Sequence, residues 1–271
     1  MNFGLVIIGD EILSGKRADK HLAKAIELLG ARGLQVAYAD YVGDSPARIT
    51  DTLKRAFASG DIVFSFGGIG ATPDDHTRQC AARALGLELA LHPQAARLIR
   101  ERMQDVALEK GLPYEPERDD NVHRLNMGMF PVGADIIPNP FNKIPGFFCR
   151  QATELGGIHF LPGFPVMAWP MMEWVLDTHY PHLFNANAWV EQSVIVFGAM
   201  EATLTPLMEQ LEREHHPVKV FSLPSVDHPE YGRHIELGVK GDPAQVVPAY
   251  AQMLAGLRAF DVPLGPELVR S

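Results

Sequence analysis

Residues 67–78 read Gly67-Gly68-Ile69-Gly70-Ala71-Thr72-Pro73-Asp74-Asp75-His76-Thr77-Arg78, a glycine turn followed by two adjacent carboxylates. The apolar residues from Ile62 to Phe66 come directly before this stretch and predict a buried strand. Thr72, Pro73 and Asp75 predict the N-cap, the first turn and the capping-box acid of a helix. Open α/β sheets bind ligands at such strand-to-helix turns, so the stretch predicts both a fold class and a site.

Strands and helices are predicted to alternate on both sides of this stretch. The predicted strands are 3–8, 34–42, 61–66, 134–137 and 157–161, and the predicted helices are 18–29, 45–58, 74–85, 93–110 and one that begins near 166. The alternation over the first ninety residues predicts parallel strands joined by right-handed crossovers, with helices on both faces of the sheet. We therefore expect an α/β domain over residues 1–182.

A second pattern follows a predicted boundary at 180–188, where Pro181, Asn185 and Asn187 cluster. Strands are predicted at 190–197, 218–223 and 234–239, and helices at 200–214 and 243–257. This order of elements predicts a small α+β sandwich over residues 188–262. We expect the tail after Phe260 to be frayed.

Composition and charge exclude several classes of protein. The formal net charge of -9 argues against binding to a nucleic-acid backbone, which requires a basic surface. The most apolar tract, residues 158–176, is interrupted by prolines and charged or polar residues, so we expect no membrane span. Cys80 and Cys149 are the two cysteines, and no basic segment precedes the apolar run Leu5–Ile8. These features predict a cytoplasmic protein.

Two acidic pairs follow predicted strands. Asp10 and Glu11 come after the first strand, and Asp74 and Asp75 come after the third. Because parallel strands end at the same edge of a sheet, we expect the four carboxylates to converge there, and hard divalent cations prefer such oxygen ligands. The glycine-rich loop offers backbone amides to an anion, so the combination predicts a pyrophosphate-containing ligand. The alternative is that these acids cap helices or face solvent.

Several motifs together resemble one family. They are Gly9-Asp10-Glu11-Ile12-Leu13-Ser14-Gly15, Val42-Gly43-Asp44, the stretch 67–78, Asn139-Pro140, Pro145-Gly146-Phe147 and Leu161-Pro162-Gly163-Phe164-Pro165. Residues 1–180 resemble the molybdopterin-binding, CinA-type branch of the molybdenum-cofactor biosynthesis domain family, which includes MogA, MoaB and the gephyrin G domain. Residues 190–260 resemble the small KH-like domain of CinA proteins. We expect the deamidase domain of full-length CinA proteins to be missing.

The resemblance implies a three-layer α/β/α, MogA-like domain with a mostly parallel sheet and a pocket over residues 67–78. It also implies metal-dependent hydrolysis of nucleotide pyrophosphates such as ADP-ribose or FAD, because CinA-like relatives and eukaryotic FAD synthases are linked to these reactions. MogA proteins instead adenylylate molybdopterin. Asp75 matches the acid of the MogA Pro-Arg-Asp motif, but Asp74 replaces its arginine, which favours the CinA branch.

Three short segments depart from the pattern that is usual in CinA proteins. Asp19-Lys20-His21 stands for Asp-Thr-Asn, Asn142-Lys143-Ile144 for Gly-Thr-Ala, and Val166-Met167 for Arg-Glu. The frame of the family is kept, but polar contacts of the pocket are changed.

The resulting prediction is a nucleotide pyrophosphatase that depends on Mg²⁺, Mn²⁺ or Co²⁺. The predicted catalytic residues are Asp75, Asp74 and Glu11, and the predicted metal ligands are Asp10, Glu11, Asp74 and Asp75. The residues predicted to bind a nucleotide or a pterin, molybdopterin included, are Gly9, Gly67, Gly68, Gly70, Ala71, Thr72, Asn139, Pro145, Gly146, Phe147, Pro162 and Gly163. The alternatives are a non-catalytic binder of such a ligand and a molybdopterin adenylyltransferase. The resemblance also implies a homodimer or homotrimer.

Overall fold

The computed structural model describes residues 2–150, 156–185 and 189–270. The chain divides into two compact units, residues 1–182 and residues 183–271. Asn187 of the predicted boundary and Ala188, the predicted start of the second domain, lie outside the described residues.

The first unit contains eight strands and seven α-helices in the described part of the chain. The strands are β1 Phe3–Ile8, β2 Val36–Val42, β3 Ile62–Phe66, β4 Leu89–Leu91, β5 Met129–Pro131, β6 Asp135–Ile137, β7 Gly146–Arg150 and β8 Gly157–Leu161. The helices are α1 Asp10–Leu13, α2 His21–Gly30, α3 Pro46–Ser59, α4 Thr77–Leu85, α5 Pro93–Glu109, α6 Asp119–Arg124 and α7 Pro165–His179. Two 3-10 helices are Leu125–Gly128 and Pro181–Leu183, and the second crosses the boundary between the two units in the sequence.

The main sheet has the strand order β2-β1-β3-β8-β7-β6. Strands β2, β1, β3 and β8 run parallel, whereas β7 and β6 are antiparallel to their neighbours. Ile7 pairs with Phe66, and Phe66 pairs with Leu161, so β1, β3 and β8 end at the same level. The loops that follow these strands therefore leave the sheet at one edge.

Strands β1 and β3 are buried along their whole length, since helices cover both faces of this sheet. On one face, Val6 and Val63 belong to the same apolar cluster as Leu53 of α3 and Cys80 of α4. On the other face, α2 packs against α7, and the ring of His21 stacks on Phe66. The mostly parallel α/β fold and its three-layer arrangement are confirmed.

The start of two helices differs from the prediction. Helix α4 begins at Thr77 and not near Asp74, because residues 72–75 form a separate turn. Helix α2 begins at His21 and not at residue 18, since the carboxylate of Asp19 accepts hydrogen bonds from the amides of His21 at 2.8 Å and Leu22 at 3.1 Å. In both places the hydrogen bonds of an aspartate carboxylate hold the residues before the helix in a turn, so the helix begins later than predicted.

The described residues of the second unit form a four-stranded antiparallel sheet with two helices. Its elements are β9 Val190–Val196, α8 Glu201–Glu214, β10 Lys219–His228, β11 Gly232–Gly241, α9 Pro243–Arg258 and β12 Leu264–Arg270, and its strand order is β10-β11-β9-β12. Val194 and Leu237 of the sheet pack with Leu204 of α8 and Met253 of α9 in a core of their own.

The expected frayed tail is wrong, because residues 264–270 form a strand that pairs with β9. Arg270 holds this strand in place through ion pairs with Glu191 at 2.7 Å and with Glu236. Across residues 2–150, 156–185 and 189–270, no helix is both long enough and apolar enough to span a membrane.

Candidate ligand site

A cavity of about 720 Å³ lies at the edge where β1, β3 and β8 end. Thirteen residues predicted to take part in the site line it: Gly9, Glu11, Gly67, Gly68, Gly70, Ala71, Thr72, Asp74, Asp75, Asn139, Pro145, Pro162 and Gly163. Asp10, Gly146 and Phe147 do not line it. Its volume is within the range of cavities that bind cofactors and other small molecules.

The glycine loop after β3 is held against the start of α4. The hydroxyl of Thr77 donates to the carbonyl of Gly67 at 3.1 Å, and the amide of Thr77 donates to the carbonyl of Gly68 at 3.0 Å. Gly67 and Gly68 have φ angles of 101° and 68°, and a Cβ on Gly68 would overlap Oγ1 of Thr77. Only glycine fits these positions without strain.

Asp75 shapes the turn that carries Asp74. Its Oδ2 accepts hydrogen bonds from the amide of Thr72 at 2.8 Å and from the hydroxyl of Thr72 at 2.6 Å. The predicted bond between Thr72 and Asp75 is thus present, but it closes a loop turn and caps no helix. The nearby Thr72 hydroxyl and the backbone amide of Asp74 lower the pKa of Asp74, so that carboxylate is ionised at neutral pH.

Asp10 joins the loops that follow β1 and β2. Its amide donates to Oδ2 of Asp44 at 2.9 Å, and its Oδ1 accepts from the amide of Asp44 at 3.1 Å. These reciprocal bonds explain why Asp10 is absent from the cavity wall although it was predicted to be a metal ligand. Asp10 therefore has a structural role at the edge of the sheet.

Asp44 lines the cavity, although it is not among the predicted site residues. Burial raises the pKa of Asp44, and the carboxylates of Asp10, Glu11 and Asp74 raise it further. The sequence contains a signal for Asp44, because this residue follows the predicted strand 34–42 just as the two acidic pairs follow other predicted strands. The carboxylates of the cavity wall are thus Glu11, Asp44, Asp74 and Asp75.

These acids do not form a ready-made metal centre. Among the residues that the structure describes, no three His, Cys, Asp or Glu side chains are placed to hold one ion. The donor set fits a hard cation that takes one or two protein carboxylates and completes its shell with water and phosphate oxygens, as Mg²⁺ does. A cation held by four carboxylates that include Asp10 does not fit this arrangement.

Two basic residues and a neutral histidine belong to the same wall. Arg17 lies 3.7 Å from the carboxylate of Glu11 and 5.9 Å from the centre of the Phe164 ring, and Lys20 also lines the cavity. His21 contacts the carbonyl of Gly163 through Nε2 at 3.1 Å. Burial lowers the pKa of His21, so this side chain orients the turn after β8 without adding positive charge.

Asn139 organises the loop between β6 and β7. Its amide nitrogen donates to Oδ1 of Asn142 at 2.8 Å and to the carbonyl of Ile144 at 2.9 Å, and its oxygen accepts from the amide of Phe141 at 3.0 Å. These bonds use the polar groups of Asn139 within the protein. Asn142, Ile144, Phe164 and Met167 are further lining residues that the sequence analysis did not select.

Gly146 and Phe147 were predicted to bind the ligand, but neither residue lines the cavity. Phe147 is fully buried and stacks on Phe130 at 4.6 Å and on Phe160 at 4.4 Å. A Cβ on Gly146 would overlap the carbonyl oxygen of Phe160. Both residues serve the core of the first unit because β7 turns away from the cavity after Pro145.

Comparison with known proteins identifies the family. Residues 4–182 match the model of the family described as "Probable molybdopterin binding domain". The chain belongs to this family. A protein of Pyrobaculum calidifontis is 30% identical over 238 residues, which cover 85% of each chain. A CinA-like protein of Citrifermentans bemidjiense is 31% identical over 225 residues, which cover 81% of this chain and 50% of that protein.

A solved structure supports the same assignment for the molybdopterin-binding domain. The crystal structure of CinA from Thermoplasma acidophilum, a protein of unknown function, matches with a TM-score of 0.54 and 26% identity. The match covers 65% of this chain and 96% of that one. The resemblance to CinA-type proteins is confirmed, and the chain spans about half the length of the CinA-like relatives from bacteria.

Proposed function

We propose that this molybdopterin-binding domain protein hydrolyses the diphosphate bond of a dinucleotide such as ADP-ribose or FAD, with a divalent cation. The observation that carries the proposal is the placement of Glu11, Asp44 and Asp74 beside the glycine loop in one cavity. When bound, Mg²⁺, Mn²⁺ or Co²⁺ would offset the charge of the diphosphate and lower the pKa of the attacking water.

The glycine loop supplies hydrogen-bond donors for the phosphate oxygens. In the described part of the chain, the amides of Gly68, Gly70 and Ala71 donate to no protein acceptor, whereas the amide of Thr72 is used by Asp75. Arg17 and Lys20 add positive charge on the same wall. An anion that approaches the carboxylates is thereby held by amides and two cationic side chains.

Asp44 is suited to take a proton from the attacking water. Its carboxylate lines the cavity with Glu11 and Asp74, and burial raises its pKa, which makes it a stronger base than an ordinary aspartate. Asp75 is assigned a positioning role, because both of its hydrogen bonds fix the turn that carries Asp74. The proposal therefore moves one of the predicted catalytic roles from Asp75 to Asp44.

The test is hydrolysis of ADP-ribose and FAD by the purified protein with each of the three cations and with EDTA. We expect cation-dependent release of two monophosphates, lowered at least tenfold in Asp44→Asn. Asp51→Asn is the matched control, since Asp51 is an exposed aspartate of α3 that does not line the cavity. The proposal would be rejected if no combination of substrate and cation gave any hydrolysis.

A second candidate is a binder of a nucleotide or a pterin, such as molybdopterin, without turnover. It is favoured by the finding that no three possible metal ligands converge among the described residues. Tight binding of ADP-ribose that survives Asp44→Asn, with no product from either protein, would support it. The dimer or trimer implied by the resemblance stays a proposal, to be measured by light scattering coupled to gel filtration.

A further inference from the structure

Asn142 and Met167 contact each other at the cavity wall. Nδ2 of Asn142 donates to the thioether sulfur of Met167 at 3.2 Å, and both residues line the cavity. The two residues are 25 positions apart in sequence, and their contact joins the loop before β7 to the first turn of α7.

The amide of Asn142 is fixed in one orientation. Its Oδ1 accepts hydrogen bonds from Nδ2 of Asn139 at 2.8 Å and from the amide of Ile144 at 3.0 Å. Rotating the amide by half a turn would place its nitrogen against these two donors, so Nδ2 must face Met167. A thioether is a weak acceptor, and a nitrogen or oxygen acceptor on a ligand would form a stronger bond with the same donor.

This part of the wall is neutral and partly apolar. Met167, Ile144 and Pro145 contribute polarisable or aliphatic surface. The neighbouring cation, Lys143, pairs with Asp105 at 2.6 Å and does not line the cavity. A phosphate would gain little here, whereas the face of a flat, uncharged ring would fit.

Phe164 connects this wall to the acidic residues. Its ring lines the cavity and is 55% exposed, although it is a large apolar side chain at the start of a helix. Arg17 lies over the ring at 5.9 Å and is 3.7 Å from the carboxylate of Glu11. One ligand can therefore place its phosphates near Glu11 and a flat group near Phe164.

We propose that Asn142, Met167 and Phe164 form a subsite for the planar nitrogen heterocycle of the ligand. Nδ2 of Asn142 donates to a ring nitrogen or a carbonyl oxygen, while the ring packs on Met167 and Phe164. Adenine, isoalloxazine and pterin share this chemistry. The inference rests on the proposed function, since it assigns the organic half of a ligand whose diphosphate binds at the glycine loop.

The test measures binding by calorimetry with probes that carry no hydrolysable P-O-P bond. One pair compares α,β-methylene-ADP with methylenediphosphonate, which lacks the nucleoside, and further arms use flavin mononucleotide and neopterin. We expect Asn142→Ala to weaken binding of a heterocyclic probe about five- to tenfold and to leave methylenediphosphonate unchanged. Met167→Glu should weaken the same probe, because its carboxylate captures Nδ2 of Asn142.

Val166→Ala is the matched control, since Val166 is the exposed neighbour of Met167 and does not line the cavity. Circular dichroism checks that each variant is folded. The subsite would be overturned if Asn142→Ala weakened α,β-methylene-ADP and methylenediphosphonate equally, or if its affinity for the heterocyclic probes were unchanged. It would also be overturned if the wild type bound none of the heterocyclic probes. Because no probe is hydrolysed, lack of pyrophosphatase activity would reject the proposed function and leave this result standing.

Discussion

Carboxylates at the edge of the sheet have two kinds of role: some hold the loops in place, and others face the cavity. Asp10 does not line the cavity, and its carboxylate accepts a hydrogen bond from the amide of Asp44. Asp75 lines the cavity, but its carboxylate holds the turn at Thr72. Asp44 and Asp74 line the cavity and differ in the direction of their pKa shifts. Burial raises the pKa of Asp44, and hydrogen bonding lowers the pKa of Asp74. The pKa values of these two aspartates are thus shifted in opposite directions, so Asp44 is the stronger base of the two.

The positioning role of Asp75 predicts a difference between two substitutions. Asp75→Ala removes both hydrogen bonds to Thr72 and should lower the free energy of unfolding by about 1 to 2 kcal/mol. Asp75→Asn keeps an acceptor oxygen and should lose less than half of that. Urea unfolding followed by tryptophan fluorescence measures both values, with Asp74→Ala as the control. Equal losses in the two Asp75 variants would show that charge, not the turn, is what matters.

The burial of His159 leads to a prediction of how the free energy of unfolding depends on pH. Its ring is fully buried between Phe64 and Phe148, and Nε2 lies 2.7 Å from the hydroxyl of Tyr180. Burial lowers the pKa of His159 well below 6.5, so the folded protein keeps it neutral. As the pH falls below about 6.5, the unfolded chain gains a proton that the folded chain does not, and stability is lost.

One such group contributes up to about 1.4 kcal/mol per pH unit in that window. We expect His159→Phe to flatten the fall in the free energy of unfolding between about pH 6.5 and pH 5, whatever its effect on absolute stability. His21 and His179, whose pKa values are also lowered by burial, should retain part of the slope. His182→Gln, at an exposed position, is the control, and an unchanged slope in His159→Phe would contradict the assignment.

At the scale of elements, the strands that end at the cavity could be predicted to within a residue. Two helix starts, helix α6 and strands β4, β5, β7 and β12 could not. Strands β1, β3 and β8 are mostly apolar runs, and each is followed by glycine or proline, which are strong local signals. The start of α4 depends on the bond between Thr72 and Asp75, which serves a turn as well as a helix. Strand β12 depends on distant partners of Arg270 that its own sequence does not reveal.

The site was predicted well where it depends on strand ends and poorly where it depends on side-chain direction. Glu11, Asp74 and the glycine loop follow directly from the ends of β1 and β3. The sequence does not show that Asp10 pairs with Asp44, or that Phe147 points into the core. Those outcomes depend on contacts between loops and on packing across the sheet.

We predict different costs for alanine substitution at two glycines, Gly68 before α4 and Gly86 after it. Gly68 and Gly86 have the same φ of 68°, but a Cβ on Gly68 would overlap Thr77, whereas one on Gly86 would meet nothing within 4 Å. Gly86→Ala should cost about 1 kcal/mol from its backbone conformation alone. Gly68→Ala should cost more and should also weaken binding of α,β-methylene-ADP. Thermal unfolding and calorimetry measure the two effects, and equal costs would mean that the loop yields freely.

At the scale of the whole molecule, each of the two units has its own apolar core. Val6, Leu53 and Phe160 belong to the core of the first unit, and Leu204 and Met253 belong to that of the second. All residues that line the cavity lie within residues 1–182. The family match ends at the same residue, 182. Folding and ligand binding of the first unit should therefore not require the second.

A chain of residues 1–182 tests this directly. We expect it to unfold cooperatively and to bind α,β-methylene-ADP within about twofold of the full chain, which is less than about 0.5 kcal/mol. The physical reason is that removing residues 183–271 takes away no cavity residue and no part of the first core. Urea unfolding and calorimetry on both chains supply the measurement, and residues 183–271 expressed alone supply the complementary control, which should fold without binding the probe. A fragment 1–182 that folds but loses the probe would show that the second unit takes part in binding.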